Sequence, residues 1–219
     1  MEKAIEERLE LWGLKLDTTA LAKLEILARE IKEKNARLNL ISKNDESCFW
    51  SRHLADSLAA APMLQKLILP GALVADAGSG PGFPGLPLAA AMAPVNFELW
   101  DSNRKRVEFA IWAAGAMKLK NTAAFYRRIG QSGTFELARY DAVLERAMGK
   151  LENILPQCLN MLKSGGVFLA WQSGLEDAGA PGSMKALGKA GAKLETKFAY
   201  TLPGEIRERL ILVFRKRIG

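Results

Sequence analysis

The sequence predicts an α/β chain in which a mostly parallel sheet alternates with helices and follows an all-helical segment. Three observations carry this. From Pro70-Gly71 onward, short apolar runs alternate with helical stretches in a βαβ rhythm. The first 60 residues show helical spacing alone. Near the end, two apolar runs lie too close together to hold a helix between them, which predicts an antiparallel hairpin at the sheet edge. A chain of 219 residues, 49% hydrophobic and 25% charged, suits one compact domain with an appendage and is too apolar for disorder. The expected division is a helical extension over 1–60, packed on the core, and an α/β domain over 61–219.

Ile5, Leu9 and Trp12 recur at helical spacing within residues 2–12. A second amphipathic stretch begins near Asp17, with Leu21, Leu24, Leu27 and Ile31 on one stripe and Asp17 or Thr18 as its cap. A third helix is predicted from Asn44 or Asp45 to Leu58, where Phe49, Trp50, His53, Leu54 and Leu58 fall at three- and four-residue steps and Asn44 offers a cap. Beyond Pro70-Gly71 the expected order is strand Ala72 to Ala75, helix Leu86 to Met92, strand Val95 to Trp100 and helix Arg104 to Met117. Strands at Thr122 to Tyr126 and Asp141 to Leu144 follow, then a helix over Leu151 to Lys163, a Lys163-Ser164-Gly165-Gly166 turn and the strand Val167 to Trp171. This order gives parallel strands joined by crossover helices. Residues 174–192 are rich in Gly and Ala, and Pro181 marks a loop before a weak helix. Lys193 to Tyr200 and Leu210 to Phe214, around Pro203-Gly204, complete the hairpin and bring the strands to seven.

Lys and Arg outnumber acids 31 to 24, which predicts attraction to polyanions such as nucleic acid or phosphorylated ligands. A basic solvated surface explains the charge equally well. The basic residues gather at Arg104-Lys105-Arg106, Lys118 to Lys120, Arg127-Arg128 and Arg207 to Arg217, although Lys105 and Glu108 can simply pair along a helix. The five tryptophans mostly sit on apolar stripes or strands and read as core before base-stacking platforms. Cys48 and Cys158 stand 110 positions apart beside a single histidine, so a Cys/His zinc site lacks ligands and no metal is expected. The N-terminus has no apolar signal region and no run of 18 apolar residues occurs, so the expectation is a reduced, cytoplasmic protein without a membrane anchor.

Four of the eight residues from Gly78 to Gly85 are glycine, and they lie between an apolar strand and an apolar helix. Such a turn lets backbone approach a ligand. Leu86-Pro87 after Gly85 excludes a Walker A loop. Gly80, Gly82 and Gly85 satisfy GxGxxG, with Asp101 lying 21 residues beyond Gly80, as in dinucleotide sites. Asp76, two residues before Gly78, favours a different ligand. A carboxylate there repels the pyrophosphate of NAD but suits the ammonium of S-adenosylmethionine or its bound water. Asp101 at the end of FELWDSN can then accept from both ribose hydroxyls. Taken singly, each acid also reads as a cap or turn residue.

The stretches DAGSGPGFPGLPLA, LWDSNRKRVEF, YDAVLERAM and LKSGGVFLAW closely resemble the bacterial small-subunit ribosomal RNA guanine-N7 methyltransferases called RsmG, formerly GidB. Asn39-Leu40, Arg52-His53, Asp56-Ser57 and Glu208-Arg209 resemble further elements of that family, and the likeness covers roughly residues 35–215. It implies a Rossmann-like class I S-adenosylmethionine-dependent methyltransferase with a mostly parallel seven-stranded sheet and an antiparallel edge strand. The implied cofactor is S-adenosylmethionine, and the implied partner is small-subunit ribosomal RNA or the ribosomal subunit, met by a monomer.

By this resemblance Gly78 and Phe83 border the cofactor, with Asp76, Gly80 and Ser102 beside them. Asp101 holds the ribose, Ile129 and Gly130 offer backbone to the adenine, and Arg146 stands at the methyl-transfer end as the catalytic candidate. Arg52, His53 and Arg128 are the substrate-binding candidates. His53 also reads as a helix residue hydrogen-bonded near the loop, and Phe83 as a packing aromatic. Three positions depart from the family pattern. Arg128-Ile129-Gly130 lacks the usual acid, Glu145 replaces Ser or Thr before the arginine, and Gln172 stands where a lysine commonly follows the fifth strand. The other readings left open are a small-molecule methyltransferase, a catalytically silent cofactor- or RNA-binding module, and an NAD site.

Overall fold

The computed structural model describes residues 3–130, 137–172 and 174–218. Its centre is one sheet of seven strands: β1 (Leu73–Ala77), β2 (Asn96–Asp101), β3 (Thr122–Tyr126), β4 (Tyr140–Arg146), β5 (Leu162–Gln172), β6 (Ala192–Thr201) and β7 (Glu208–Lys216). Across the sheet the order is β3-β2-β1-β4-β5-β7-β6. Strands β1 to β5 are parallel, and β7 runs antiparallel to both its neighbours. The predicted hairpin therefore stands at the sheet edge, with β7 as the strand that runs against the others and β6 outermost. The chain winds outward from β1 to β3 and then resumes on the other side at β4. The order thus reverses between β1 and β4, where an open α/β sheet forms its crevice at the carboxyl ends of the strands.

Among the described residues, five helices connect the strands: α6 (Gly85–Ala91), α7 (Arg104–Ala116), α8 (Leu151–Met161), α9 (Glu176–Gly179) and α10 (Pro181–Ala190). They follow six helical pieces at the N-terminal end: α1 (Lys3–Leu11), α2 (Thr18–Leu38), α3 (Lys43–Glu46), a π-helical stretch Trp50–Ala55, α4 (Asp56–Leu58) and α5 (Ala61–Leu67). Asp17 caps α2, accepting the Ala20 N–H at 2.7 Å. Ser42, and not Asn44, caps α3. The third helix predicted as continuous to Leu58 is broken into α3, the π-helical stretch and α4, since a stripe of apolar residues does not by itself fix which carbonyl each backbone N–H reaches. Helix α5 lies past the end of the helical reading, and Pro62 sits in its first turn, where proline's missing N–H costs nothing. The Lys163-Ser164-Gly165-Gly166 turn belongs instead to β5. The register jumps there from Tyr140↔Leu162 to Ala142↔Val167, so the extra residues bulge out of the ladder.

Each face of the sheet buries an apolar layer. On one side Leu24, Leu27 and Ile31 of α2 and Leu54 and Leu58 pack in one cluster with Val74, Leu99 and Leu144. On the other, Leu155 and Leu159 of α8 meet Phe168 and Phe214, whose rings stack at 5.9 Å. Residues from Leu54 to Ala61 are all buried, so this part of the chain runs through the interior and carries Asp56 with it. Trp100 and Trp171 are core residues as predicted. Trp112 is 57% exposed, donating to Glu30 at 2.6 Å with Lys34 over its ring. In α7 the ion pair is Arg104–Glu108 at 3.0 Å, in place of the predicted Lys105–Glu108. Cys48 and Cys158 are free thiols, and no described helix is long and apolar enough to cross a membrane.

Leu27 is fully buried where α2 meets the sheet cluster, so Leu27→Ala is expected to cost about 2–5 kcal/mol through lost contacts and the cavity left behind. Urea unfolding of the whole chain checks this. The expected result is one transition at a lower midpoint.

Candidate active site

At the carboxyl end of β1 the chain reverses through glycines in the left-handed region, with Gly78 at φ +67° and Gly80 at +55°. At Gly78 close approach adds to the backbone requirement, since a Cβ would meet the Met148 sulfur at 2.5 Å. Two carboxylates hold the reversal. Asp76 Oδ2 accepts the Gly85 N–H at 2.7 Å and so fixes the start of α6. Asp101 Oδ2 accepts the Gly80 N–H at 2.8 Å, and its Oδ1 accepts the Asn103 N–H at 2.7 Å. Asp76 lies behind the loop, completely buried, and Oδ1 has no hydrogen-bond partner among the described residues. Burial pushes its carboxyl up to about 7 although the Gly85 N–H pulls the other way.

Between the carboxyl ends of the strands opens a cleft of about 630 Å³ lined by Gly78, Trp100, Asp101, Ser102, Arg128, Ile129, Ala147 and Met148, among others. Thus Gly78, Asp101, Ser102, Ile129 and Arg128 meet at one cavity. Gly80 does not line the cleft, but its N–H is held by Asp101, which does. Gly130 adjoins the wall, where a Cβ would meet the Gln157 amide at 2.7 Å. Each Asp101 oxygen uses one lone pair on backbone and keeps another. Trp100 Nε1 is buried in the wall with no hydrogen-bond partner among the described residues.

A second cleft of about 240 Å³ is lined by Asp56, Arg146, Ala147, Trp171, Gln172, Tyr200, Arg207 and Arg209. Ala147 belongs to both walls and sits at φ +62°, where β4 ends and the chain turns between the two cavities. Arg146 Nη1 donates to Asp56 Oδ2 at 2.9 Å, and the guanidinium lies 5.5 Å from the centre of the Phe83 ring. Its Nη2 is 3.3 Å from His53 Nδ1. A guanidinium only donates, so His53 accepts at Nδ1 and carries its hydrogen on Nε2. Burial, and then the Arg146 charge, pushes the imidazole down to about 4. His53 and Phe83 thus hold Arg146 and line neither cleft. Arg52 is paired with Asp45 at 3.1 Å and Glu205 at 3.0 Å. Glu145 is buried, and burial pushes it up to about 7. It accepts the Met148 N–H, and its Oε2 has no partner among the described residues.

Met148, Trp171 and Arg209 fall within stretches that carry the resemblance, yet their places at the clefts, like that of Tyr200, escape sequence reasoning. The contacts that bring Trp171, Tyr200 and Arg209 to the second cleft run to Asp56, as in the Tyr200–Asp56 hydrogen bond across 144 positions, and no local pattern marks such pairs.

A family model described as rRNA small subunit methyltransferase G, or GidB, matches residues 20–189. The chain belongs to this family. Among curated members, the ribosomal RNA small subunit methyltransferase G of Bacillus licheniformis is 31% identical over 211 residues, spanning 95% of this chain and 87% of that protein. The protein of the same name from Sorangium cellulosum is 35% identical over 164 residues, or 74% of this chain and 68% of its own. Two solved structures share the fold. TYW2 of M. jannaschii in complex with AdoMet superposes with a TM-score of 0.58 at 18% identity, covering 77% of this chain and 78% of that one. A precorrin-6y C5,15-methyltransferase from Geobacter metallireducens gives 0.53 at 19%, covering 73% and 87%.

Glu145 makes a measurable pH signature. Its folded value of about 7 exceeds the ordinary 4.5, so the folded state holds the extra proton between those values and stability falls as pH rises through that window. Asp76 acts in the same direction and His53 opposes both below its ordinary 6.5. Glu145→Gln is therefore expected to gain stability relative to the unmodified protein by about 1.4 kcal/mol per pH unit between pH 5 and 7. Urea melts of the pair at each pH check the difference.

Proposed function

We propose that this chain transfers a methyl group from S-adenosylmethionine to N7 of a guanine in small-subunit ribosomal RNA. The observation that carries the reading is a family-matched chain whose glycine turn and Asp101 meet at one wall of a cleft at the sheet's reversal point. The residues present fit the cofactor. Asp101 keeps free lone pairs for two ribose hydroxyls, Trp100 Nε1 lacks a partner, and the volume suits a nucleoside with its tail. Gly78, Ser102, Ile129 and the backbone at Gly130 complete its seat, and the basic rim of Arg106, Arg127 and Arg128 faces RNA phosphate.

When bound, held by Asp101, Gly78, Ser102 and Ile129, S-adenosylmethionine would supply an electrophilic methyl group to an acceptor lone pair, which would leave the methylated purine cationic. N7 keeps its lone pair exposed even in a base pair, so no general base is required and the low basicity of His53 is no obstacle. The chain's own work is positioning. The second cleft receives the guanine, Ala147 is the wall shared with the first, and Arg146, Arg207 and Arg209 present fixed donors to base or phosphate. The chain acts as a monomer on RNA or a small subunit in the cytoplasm, its helical extension over 1–60 working as one unit with the α/β domain.

Asp101→Ala is expected to weaken S-adenosylhomocysteine binding by about 1–3 kcal/mol in calorimetry, through lost charged hydrogen bonds. Incubated with small subunits or their RNA from cells lacking this modification, the protein is expected to add methyl to guanine N7, located by mass spectrometry of nuclease fragments. RNA binding should weaken steeply with salt. Turnover on a small acceptor with no methyl on RNA would overturn the reading.

A further inference from the structure

We propose that Asp56 is a positioning residue of the transfer: its buried carboxylate fixes the Arg146 and Arg209 guanidiniums around the second cleft and offsets their charge where the purine becomes cationic. The proposal rests on the reading above and deepens it.

The Asp56 side chain is only 5% exposed, yet each side chain that hydrogen-bonds to it or ion-pairs with it lines that cleft. Oδ2 accepts from Arg146 at 2.9 Å, and Oδ1 accepts from Tyr200 Oη at 2.7 Å and faces Arg209 Nη1 at 3.5 Å. The backbone oxygen accepts from Trp171 Nε1 at 3.0 Å. These partners come from β4, β6, β7 and β5, so one residue of α4 gathers four strands at their ends. A buried ion pair is poor evidence for stability, since apolar replacements of similar volume serve as well or better. A role in packing alone leaves unexplained why all four partners line one cavity. Arg209 is also tied to Glu205 at 2.9 Å, which holds Arg52 in turn, so the clamp extends from the buried carboxylate to the surface.

The electrostatic consequence is specific. Two guanidiniums attract RNA phosphate but repel a purine that gains positive charge during transfer. The carboxylate between them lowers that repulsion while leaving their remaining N–H donors for the acceptor. Removing its charge should therefore harm the transition state and spare, or even strengthen, RNA binding.

The test compares unmodified protein, Asp56→Asn and Tyr200→Phe on unmodified small-subunit RNA or particles, measuring kcat, KM for RNA, thermal melting, and S-adenosylhomocysteine affinity and stoichiometry. Asp56→Asn is expected to lower kcat by about tenfold or more, with KM for RNA unchanged or lower and S-adenosylhomocysteine binding intact at full stoichiometry. Tyr200→Phe removes a single donor to Oδ1 and is expected to lower kcat by about threefold to tenfold with melting preserved. If Asp56→Asn fails to fold, Tyr200→Phe decides. A kcat within about twofold of the unmodified protein in the folded variants, or a loss matched by lost binding stoichiometry, overturns the positioning role. Absence of transfer by the unmodified protein would instead overturn the reading on which it rests.

Discussion

The site depends first on one constraint: the chain leaving β1 must reverse within a few residues while its backbone N–H groups still find partners. Glycine makes the reversal sterically possible at Gly78 and Gly80, but does not hold it. Asp101 does, by spending one lone pair of each oxygen on Gly80 and Asn103 and so tying the turn after β1 to the turn after β2. The carboxylate is thereby fixed at the cleft wall with a second lone pair on each oxygen still available. Asp76 performs a parallel task, completely buried and accepting the Gly85 N–H through one carboxylate oxygen.

A second, independent clamp stands on the far side of Ala147. Because the chain from Leu54 to Ala61 passes through the interior, Asp56 is carried under the ends of β4 to β7 and meets Arg146, Tyr200 and Arg209 there. His53, one turn earlier, holds the same arginine by an uncharged nitrogen. The two clamps leave adjoining cavities of about 630 and 240 Å³ with one residue common to both walls. That adjacency is what a transfer between a bound nucleoside and a nucleic-acid base requires.

Much of this was legible from residues alone. The parallel strands announce themselves as short apolar runs between helices, and β3 falls at Thr122–Tyr126 as read. Asp101 ends β2, Gly78 and Ser102 follow directly on β1 and β2, and Arg128 and Ile129 come just after β3, which is why local pattern finds them and the fold assembles them. The breaks between Glu46 and Asp56 were not legible, since the apolar positions Phe49, Trp50, Leu54 and Leu58 do not by themselves fix the backbone hydrogen-bond pattern. Nor was the work of Asp56, which was visible as part of a motif, whereas its partners lie 90 to 153 positions away or more narrowly packed than any spacing encodes.

The most direct measurement is a crystal structure of this protein with S-adenosylhomocysteine. The account predicts the nucleoside in the larger cleft, its two ribose hydroxyls on Asp101 and its sulfur directed toward Ala147 and the second cleft. A nucleoside bound elsewhere, or one in that cleft with Asp101 turned away from the sugar, would contradict it.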